Sequence, residues 1–553
     1  MIMKKLLLGV LMASAATFNA LACTNLIVGK NASADGSVLI SYSADSYGMF
    51  GFLYHSAAAK HEKGEMLDVI NWEDGRHMGQ IAQVEQTYNV VGNINENQVS
   101  IGETTFGGRH ELVDTTTGII DYGSLIYIAL QRSRTAREAI QIMTDLVREY
   151  GYASGGESFT IADPNEVWIM EMIGKGPGIR GAVWVAVRIP DDCIAAHANQ
   201  SRIHKFNLND KENVLYASDV ISFAREKGYF SGVNSEFDFA NAYNPIDFSG
   251  LRACESRVWS YFNRFTDRGS EFLPYIEGKS SEPMPLYVKP NRKLSVKDVQ
   301  NMMRDHYEGT PLDITQDVGA GIYHSPYRLS PLSFEADGQK YFNERPISTQ
   351  QSAWVFVSQL RQNLPDAVGG VLWFGTDDAN MTVYTPIYCC TDIVPDVYKD
   401  GIDGAGETSF SFNSAFWVMN WVANMVYPRY DLMIDDVRAI QSGLEDNYLA
   451  SQKSVEDAAV KLLESDPEAG RAFLTQYSVK VSEDAISTWR KLGEYLVVKY
   501  NDGVIKRMPT DNQIGRSTKQ PERPLVRPGF PEEFKKEIAR QTGDRYKVYD
   551  IVH

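Results

Sequence analysis

Cys23 stands immediately after Ala20-Leu21-Ala22, a small-x-small triplet that closes an apolar N-terminal stretch. A cut after Ala22 would make Cys23 the first residue, carrying a thiol and a free α-amine together. An α-amine has a pKa of about 7.7 to 8.0, so part of it is unprotonated near neutral pH and can act as a base. A thiol with a pKa of about 8.5 is a strong nucleophile that needs only a modest base beside it. One residue would then supply nucleophile and base. An acidic third group would orient them, and Asp45 is the first candidate, with a turn or cap aspartate as its plainer reading.

The elements that must position this pair are readable locally. Thr24 to Val28 is apolar and β-branched, Asn31 to Gly36 is a turn cluster, and Val38 to Ile40 is apolar again. This predicts a β-hairpin with a longish loop, whose antiparallel return brings Ser43 to Asp45 beside Cys23. Before it, Met1 to Ala22 has Lys4 and Lys5, then an apolar stretch from Leu6 to about Ala16 that is too short to span a bilayer. That is the pattern of a secretory signal peptide, which predicts cleavage by signal peptidase and export to the periplasm or outside the cell. A lipoprotein reading competes with it. Such sites usually carry Leu three residues before the Cys, where this chain has Ala20.

Composition bounds the rest. At 553 residues, 43% hydrophobic and 23% charged, the chain is neither disordered nor a small disulfide-stapled scaffold. Its formal net charge of −17 disfavours nucleic acid as a partner. Five cysteines, Cys23, Cys193, Cys254, Cys389 and Cys390, leave one unpaired if the others bridge, and Cys193 reads as a buried core thiol. No His-Glu-x-x-His, Gly-x-Ser-x-Gly, phosphate-binding loop or dinucleotide fingerprint is present, so the expectation is hydrolysis without metal or cofactor. Strand-like runs at 87–91, 98–102, 159–162, 167–172, 182–188 and 193–196 bunch around a helical interval at 124–150, which predicts an α+β class. The stretch 206–307 is helical and loop-rich, 353–394 returns to strand texture, and 410–499 is mainly helical. A basic, proline-bearing tail at 506–527 and a short helix near 531–542 follow.

Several motifs together carry a resemblance. They include the run from Cys23 to Lys30, then Ala34-Asp35-Gly36-Ser37, Asp45-Ser46, Asn95-Glu96-Asn97 and Ile101-Gly102-Glu103-Thr104. Further along come the run from Glu157 to Pro164, Ala198-Asn199-Gln200-Ser201-Arg202-Ile203, the run from Arg304 to Thr310, Arg345-Pro346-Ile347-Ser348-Thr349, and Gly369 to Gly375. The chain resembles the PepD-like dipeptidases, cysteine-type N-terminal nucleophile (Ntn) hydrolases related to penicillin V acylase, bile salt hydrolase and secernin. The resemblance implies a four-layer αββα sandwich, with Cys23 as nucleophile, its amine as base, Asp45 holding the amine, and Asn199 donating to the oxyanion. The acylase relatives carry an arginine three residues before the aspartate, where this chain has Tyr42, so Arg202 or another arginine would have to supply that charge.

A dipeptide is a zwitterion, so its recognition needs an acid for the ammonium and a base for the carboxylate. Glu103, Glu157, Arg202 and Arg345 are the substrate-binding candidates, with structural ion-pair or capping roles as the alternative. The resulting expectation is an exported cysteine dipeptidase with a signal peptide at 1–22, a catalytic domain at 23–410 and a mainly helical region at 411–553. Its partners are dipeptides and signal peptidase, with no membrane span, and a homo-oligomer stays open. Two other readings remain: an amidase or acylase on bile-salt-type or penicillin-type amides, and a lipidated surface protein that binds peptides.

Overall fold

The computed structural model describes residues 23–508 and 525–551. The expected leader and part of the basic tail lie outside the described residues. We label the principal strands β1 (Asn25–Val28), β2 (Val38–Asp45), β3 (Ser100–Gly107), β4 (Gly156–Ala162), β5 (Val167–Gly174), β6 (Ala182–Ile189), β7 (Ile194–His197), β8 (Ser352–Leu360), β9 (Val371–Thr376) and β10 (Thr385–Tyr388). The principal helices are α1 (Tyr122–Arg132), α2 (Ala136–Tyr150), α3 (Ser256–Phe265), α4 (Ala415–Val426), α5 (Tyr430–Ser465), α6 (Pro467–Tyr500) and α7 (Glu532–Thr542).

The predicted hairpin forms. Ile27 pairs with Ile40 and Val28 with Leu39, and the same register carries Thr24 opposite Ser43, which leaves Cys23 beside the end of β2. Every residue of β1 and β2 is buried, because the strands are covered on both faces. They are central in a seven-stranded sheet of order Tyr287–Val288, β7, β1, β2, β8, β9, β10. The second sheet has eight strands in the order Val214–Tyr216, β6, β5, β4, β3, Ile94–Asn95, Val90–Val91, His55–Ser56. The strand pairings in both are antiparallel, and with the segregated helices this makes the molecule α+β.

The two sheets lie face to face. Ser100 on β3 shares a 2.7 Å hydroxyl contact with Ser358 on β8, and His197 on β7 bridges Thr104 and Thr160 of the other sheet at 2.7 Å each. The approach is close enough that a Cβ on Gly102 would come within 2.4 Å of Asn25 Oδ1, so only glycine fits there.

Helices α1 and α2 cover the outer face of the eight-stranded sheet, where Ile128, Ala129, Ile140 and Met143 pack with Ile101, Phe159, Ile161 and Trp168. The helical interval read from the sequence as continuous is two helices, broken at Ser133–Thr135. Asp121 caps α1 by accepting from the Gly123 and Ser124 amides, and Thr135 caps α2 by accepting from Glu138. A side chain that satisfies orphan amides starts a new helix as firmly as periodicity continues one. Helices α3, α4 and α6 lie against the seven-stranded sheet, and the apolar cluster that begins at Cys23 and Leu26 continues through Val418 and Val422 to Trp489 and Leu496. Among the described residues no helix is long and apolar enough to cross a membrane.

Candidate active site

Cys23 is 1% exposed at the head of β1. Its Sγ lies 3.5 Å from Glu103 Oε1 and 3.7 Å from Tyr42 Oη, and the Tyr42 hydroxyl itself donates to Glu103 Oε1 at 2.7 Å. The Asp45 backbone amide also approaches the sulfur. Burial, followed by the negative charges of Glu103 and Asp45, pushes the Cys23 thiol well above its ordinary range. While the peptide bond to Ala22 is intact, the sulfur is therefore a neutral thiol, and no α-amine is present to take its proton.

Asp45 is fully buried and held from three sides. Ser43 Oγ donates to Oδ2 at 2.8 Å, Ser352 Oγ to Oδ1 at 2.6 Å, and Arg345 pairs with Oδ2 at 2.5 Å. Ser43 closes a relay back to the strand headed by Cys23, since it also accepts from the Thr24 amide at 3.2 Å. Arg345 thus meets the catalytic candidate Asp45. Its Nη1 is buried without a hydrogen-bond partner.

Asn199 follows β7 in the left-handed region, with φ of 62°, a conformation asparagine tolerates better than most residues. Its Nδ2 donates to the Thr105 carbonyl at 2.7 Å, and its Oδ1 accepts from Arg257 at 2.9 Å. Arg257 is the residue that sequence reasoning missed. Its Nη1 donates to the Cys23 carbonyl at 2.6 Å and to Thr24 Oγ1 at 2.8 Å, while Nη2 also reaches the Ala198 carbonyl at 3.0 Å. One guanidinium thus ties the Cys23 backbone to Asn199. Burial, then the neighbouring Arg345, lowers its pKa to about 10, which still leaves it charged at neutral pH. A π-helical turn at Gly250–Glu255 runs directly into α3, whose second residue is Arg257. No local motif announced it, because Cys23 and Arg257 are far apart in the chain.

Arg202 does not join this group. Its Nε donates to Glu255 at 3.0 Å, and its Nη1 and Nη2 donate to the carbonyls of Ala196, Leu286, Met284 and Pro285. All five donors of the guanidinium are committed, so the expectation that Arg202 supplies the thiol's missing charge or a substrate contact is corrected: it braces the loop before Tyr287. At the place of the relatives' arginine, Tyr42 brings a phenol and, through it, Glu103. Glu157 completes the set, accepting from Thr105 Oγ1 at 2.9 Å and facing Glu103. Cys193 is buried, as expected of a core thiol. Among the described residues no group of three or more His, Cys, Asp or Glu side chains is arranged to hold a metal ion.

Comparison with known proteins bears on this geometry. The model of peptidase family C69 matches residues 22–443, well over half of the chain. A protein of Latilactobacillus sakei named "Probable dipeptidase" is 27% identical over 474 residues, which cover 79% of this chain and 89% of the relative. A "Probable dipeptidase" of Salmonella dublin is 29% identical over 389 residues, covering 66% and 81%. "Probable dipeptidase B" of Lactococcus lactis is 26% identical over 495 residues, covering 86% and 95%.

Proposed function

The chain belongs to peptidase family C69 and is a cysteine-type dipeptidase, and we propose that its nucleophile is Cys23, exposed as the amino terminus when an export signal is removed. The observation that carries this reading is the convergence on one residue of the small-x-small cut, the Asp45 backbone and carboxylate, and the asparagine held by Arg257. The fold we propose for this machinery is the four-layer αββα sandwich of Ntn hydrolases. Two facing antiparallel sheets, with α1 and α2 outside one and α3, α4 and α6 outside the other, support it.

In the proposed reaction the Cys23 amine takes the thiol proton, and Sγ forms a bond to the carbonyl carbon of the scissile amide. The Asn199 amide donates to the oxyanion, with Arg257 on Oδ1 keeping Nδ2 as the donor end; such a donor contributes about 3 to 4 kcal/mol. The C–N bond breaks as the ammonium returns its proton to the leaving amine, giving a free amino acid and a thioester on Cys23. The amine then takes a proton from water, whose oxygen attacks the thioester; the C–S bond breaks, the ammonium returns its proton to Sγ, and the second amino acid leaves. Asp45, fixed by Ser43, Ser352 and Arg345, orients the amine through both steps.

Mass spectrometry of the mature amino terminus and turnover of Cys23→Ala test this together. We expect an unacylated Cys23 terminus and at least about a 10⁴-fold loss of dipeptide hydrolysis in the variant. An acylated Cys23, or near-normal turnover without its thiol, would overturn the mechanism.

A further inference from the structure

Glu103 and Glu157 form a buried carboxyl pair beside the nucleophile, each 1% exposed. They project from neighbouring strands β3 and β4, where Thr105 pairs with Glu157 and Glu103 with Phe159, so the two glutamates are diagonal neighbours on one face. Glu103 Oε1 is satisfied by Tyr42 and Glu157 Oε1 by Thr105. The remaining oxygen of each, Oε2, is buried and has no basic side chain on it; the two carboxyls meet each other. Burial raises both, so one of them holds a proton. Glu73, Tyr122 and Tyr152 lie around the pair and add no positive charge. Tyr152 Oη is also buried without a hydrogen bond of ordinary geometry, with Ser154 beside it. A buried carboxyl pair that shares one proton still carries one negative charge, which Glu73, Tyr122 and Tyr152 around it do not offset, and a cation with several N–H donors would neutralise that charge and bond both carboxyls.

Resting on the reading of Cys23 as nucleophile, we propose that Glu103 and Glu157 together bind the protonated α-amine of the substrate's first residue and so restrict cleavage to the first peptide bond.

Bond lengths make the assignment specific. The α-nitrogen is two bonds from the carbonyl carbon of its own residue, about 2.5 Å in space. A carbonyl carbon poised for attack lies about 3 to 3.5 Å from the sulfur. With Glu103 Oε1 only 3.5 Å from Sγ, the amine that meets this pair belongs to the residue whose carbonyl is attacked. An amine one residue further along would lie about 3.3 to 3.6 Å beyond it. The site therefore takes peptides with a free, protonated amino terminus and rejects acylated ones, which bury the same carboxyls against a neutral amide.

The test uses the mature protein with alanyl-alanine, N-acetyl-alanyl-alanine and trialanine. The wild type should prefer the free amine over the acetylated dipeptide by at least about 30-fold in kcat/KM and should release the first residue of trialanine. Glu157→Gln and Glu103→Gln should collapse that preference, with most of the loss on alanyl-alanine appearing in KM. A merely structural role would lower activity on both dipeptides and leave their ratio unchanged. If the glutamine variants do not fold, the milder Thr105→Val, which strips one donor from Glu157, should shift the ratio in the same direction. Wild-type hydrolysis of the acetylated dipeptide at a rate equal to the free one, or an undiminished preference in Glu157→Gln, would overturn the subsite. Cys23→Ala separates the two readings. Loss of hydrolysis there with preference intact in Glu157→Gln refutes the subsite and leaves the nucleophile. Retained hydrolysis there with preference lost in Glu157→Gln refutes the nucleophile and leaves the subsite.

Discussion

The charge arrangement around Cys23 is the reverse of what a resting thiolate needs. A carboxyl and a phenol touch the sulfur, and the arginine that helps hold the site, Arg257, grips the backbone carbonyl on the other side of the residue. Because the thiol's pKa is raised, the thiolate fraction at pH 8 falls below that of a free cysteine. Chain kept uncut at Ala22 should therefore be alkylated at Cys23 by iodoacetamide more slowly than glutathione is at pH 8. Alkylation as fast as glutathione's would show that the thiol is already ionised before maturation. Arg257 makes a different prediction. Its fork holds the Cys23 carbonyl, Thr24, Ala198 and Asn199 at once, and a lysine's single ammonium cannot reproduce that planar set. Arg257→Lys should lower kcat by about 10²-fold with a smaller change in KM, which steady-state kinetics on a dipeptide would read. Cys23, Asp45 and Asn199 were readable as candidates from motifs. Arg257 and the meeting of Glu103 with Glu157 were not, since each depends on side chains brought together by strands that are remote in sequence.

Among the elements, β7 shows how two sheets are locked in register. His197 lies fully buried between Thr104 on β3 and Thr160 on β4, with one ring nitrogen to each hydroxyl. A neutral imidazole can donate from one nitrogen and accept at the other, whereas an imidazolium can only donate. Burial, followed by the charges of Arg202 and Arg257, lowers the His197 pKa to about 3. The folded state thus keeps His197 neutral while the unfolded chain protonates near pH 6.5. Its full stabilisation is present above pH 6.5 and is lost progressively as pH falls toward 3. Urea unfolding at pH 7 and pH 5 should differ by about 2 kcal/mol from this residue alone, a difference that His197→Gln removes. An unchanged pH dependence in that variant would refute the assignment. The hairpin of β1 and β2 was legible because turn residues and alternation act within a few positions of each other. The break between α1 and α2 was not: the stretch reads as one helical interval because apolar positions lie on both sides of the break, although the polar run from Gln131 to Thr135 and the Thr135 cap mark the new start.

At the scale of the whole molecule, the helices after residue 410 complete the body that holds the site. Glu445 on α5 accepts from Arg304, Lys297 and the Tyr384 amide, and Glu456 pairs with Arg361 at 2.7 Å, so buried charges join α5 to the sheet side of the molecule. Removing one partner of such a pair leaves the other buried and unpaired, at a cost of about 3 to 5 kcal/mol. Glu445→Ala should lower the denaturation midpoint accordingly, and a chain ending at residue 410 should lose both solubility and dipeptide hydrolysis. Soluble, active protein from that truncation would show the helices to be dispensable. The sequence by itself determined the hairpin that returns Asp45 to Cys23, the α+β class and the family motifs. These depend on covalent order, turn chemistry and short-period patterning, which operate over a few residues. The tertiary structure alone decided which arginine meets Asn199, that Arg202 is consumed elsewhere, and that two buried glutamates meet beside the thiol. Those outcomes follow from sheet register and burial, which bring distant side chains together and change what their charges cost.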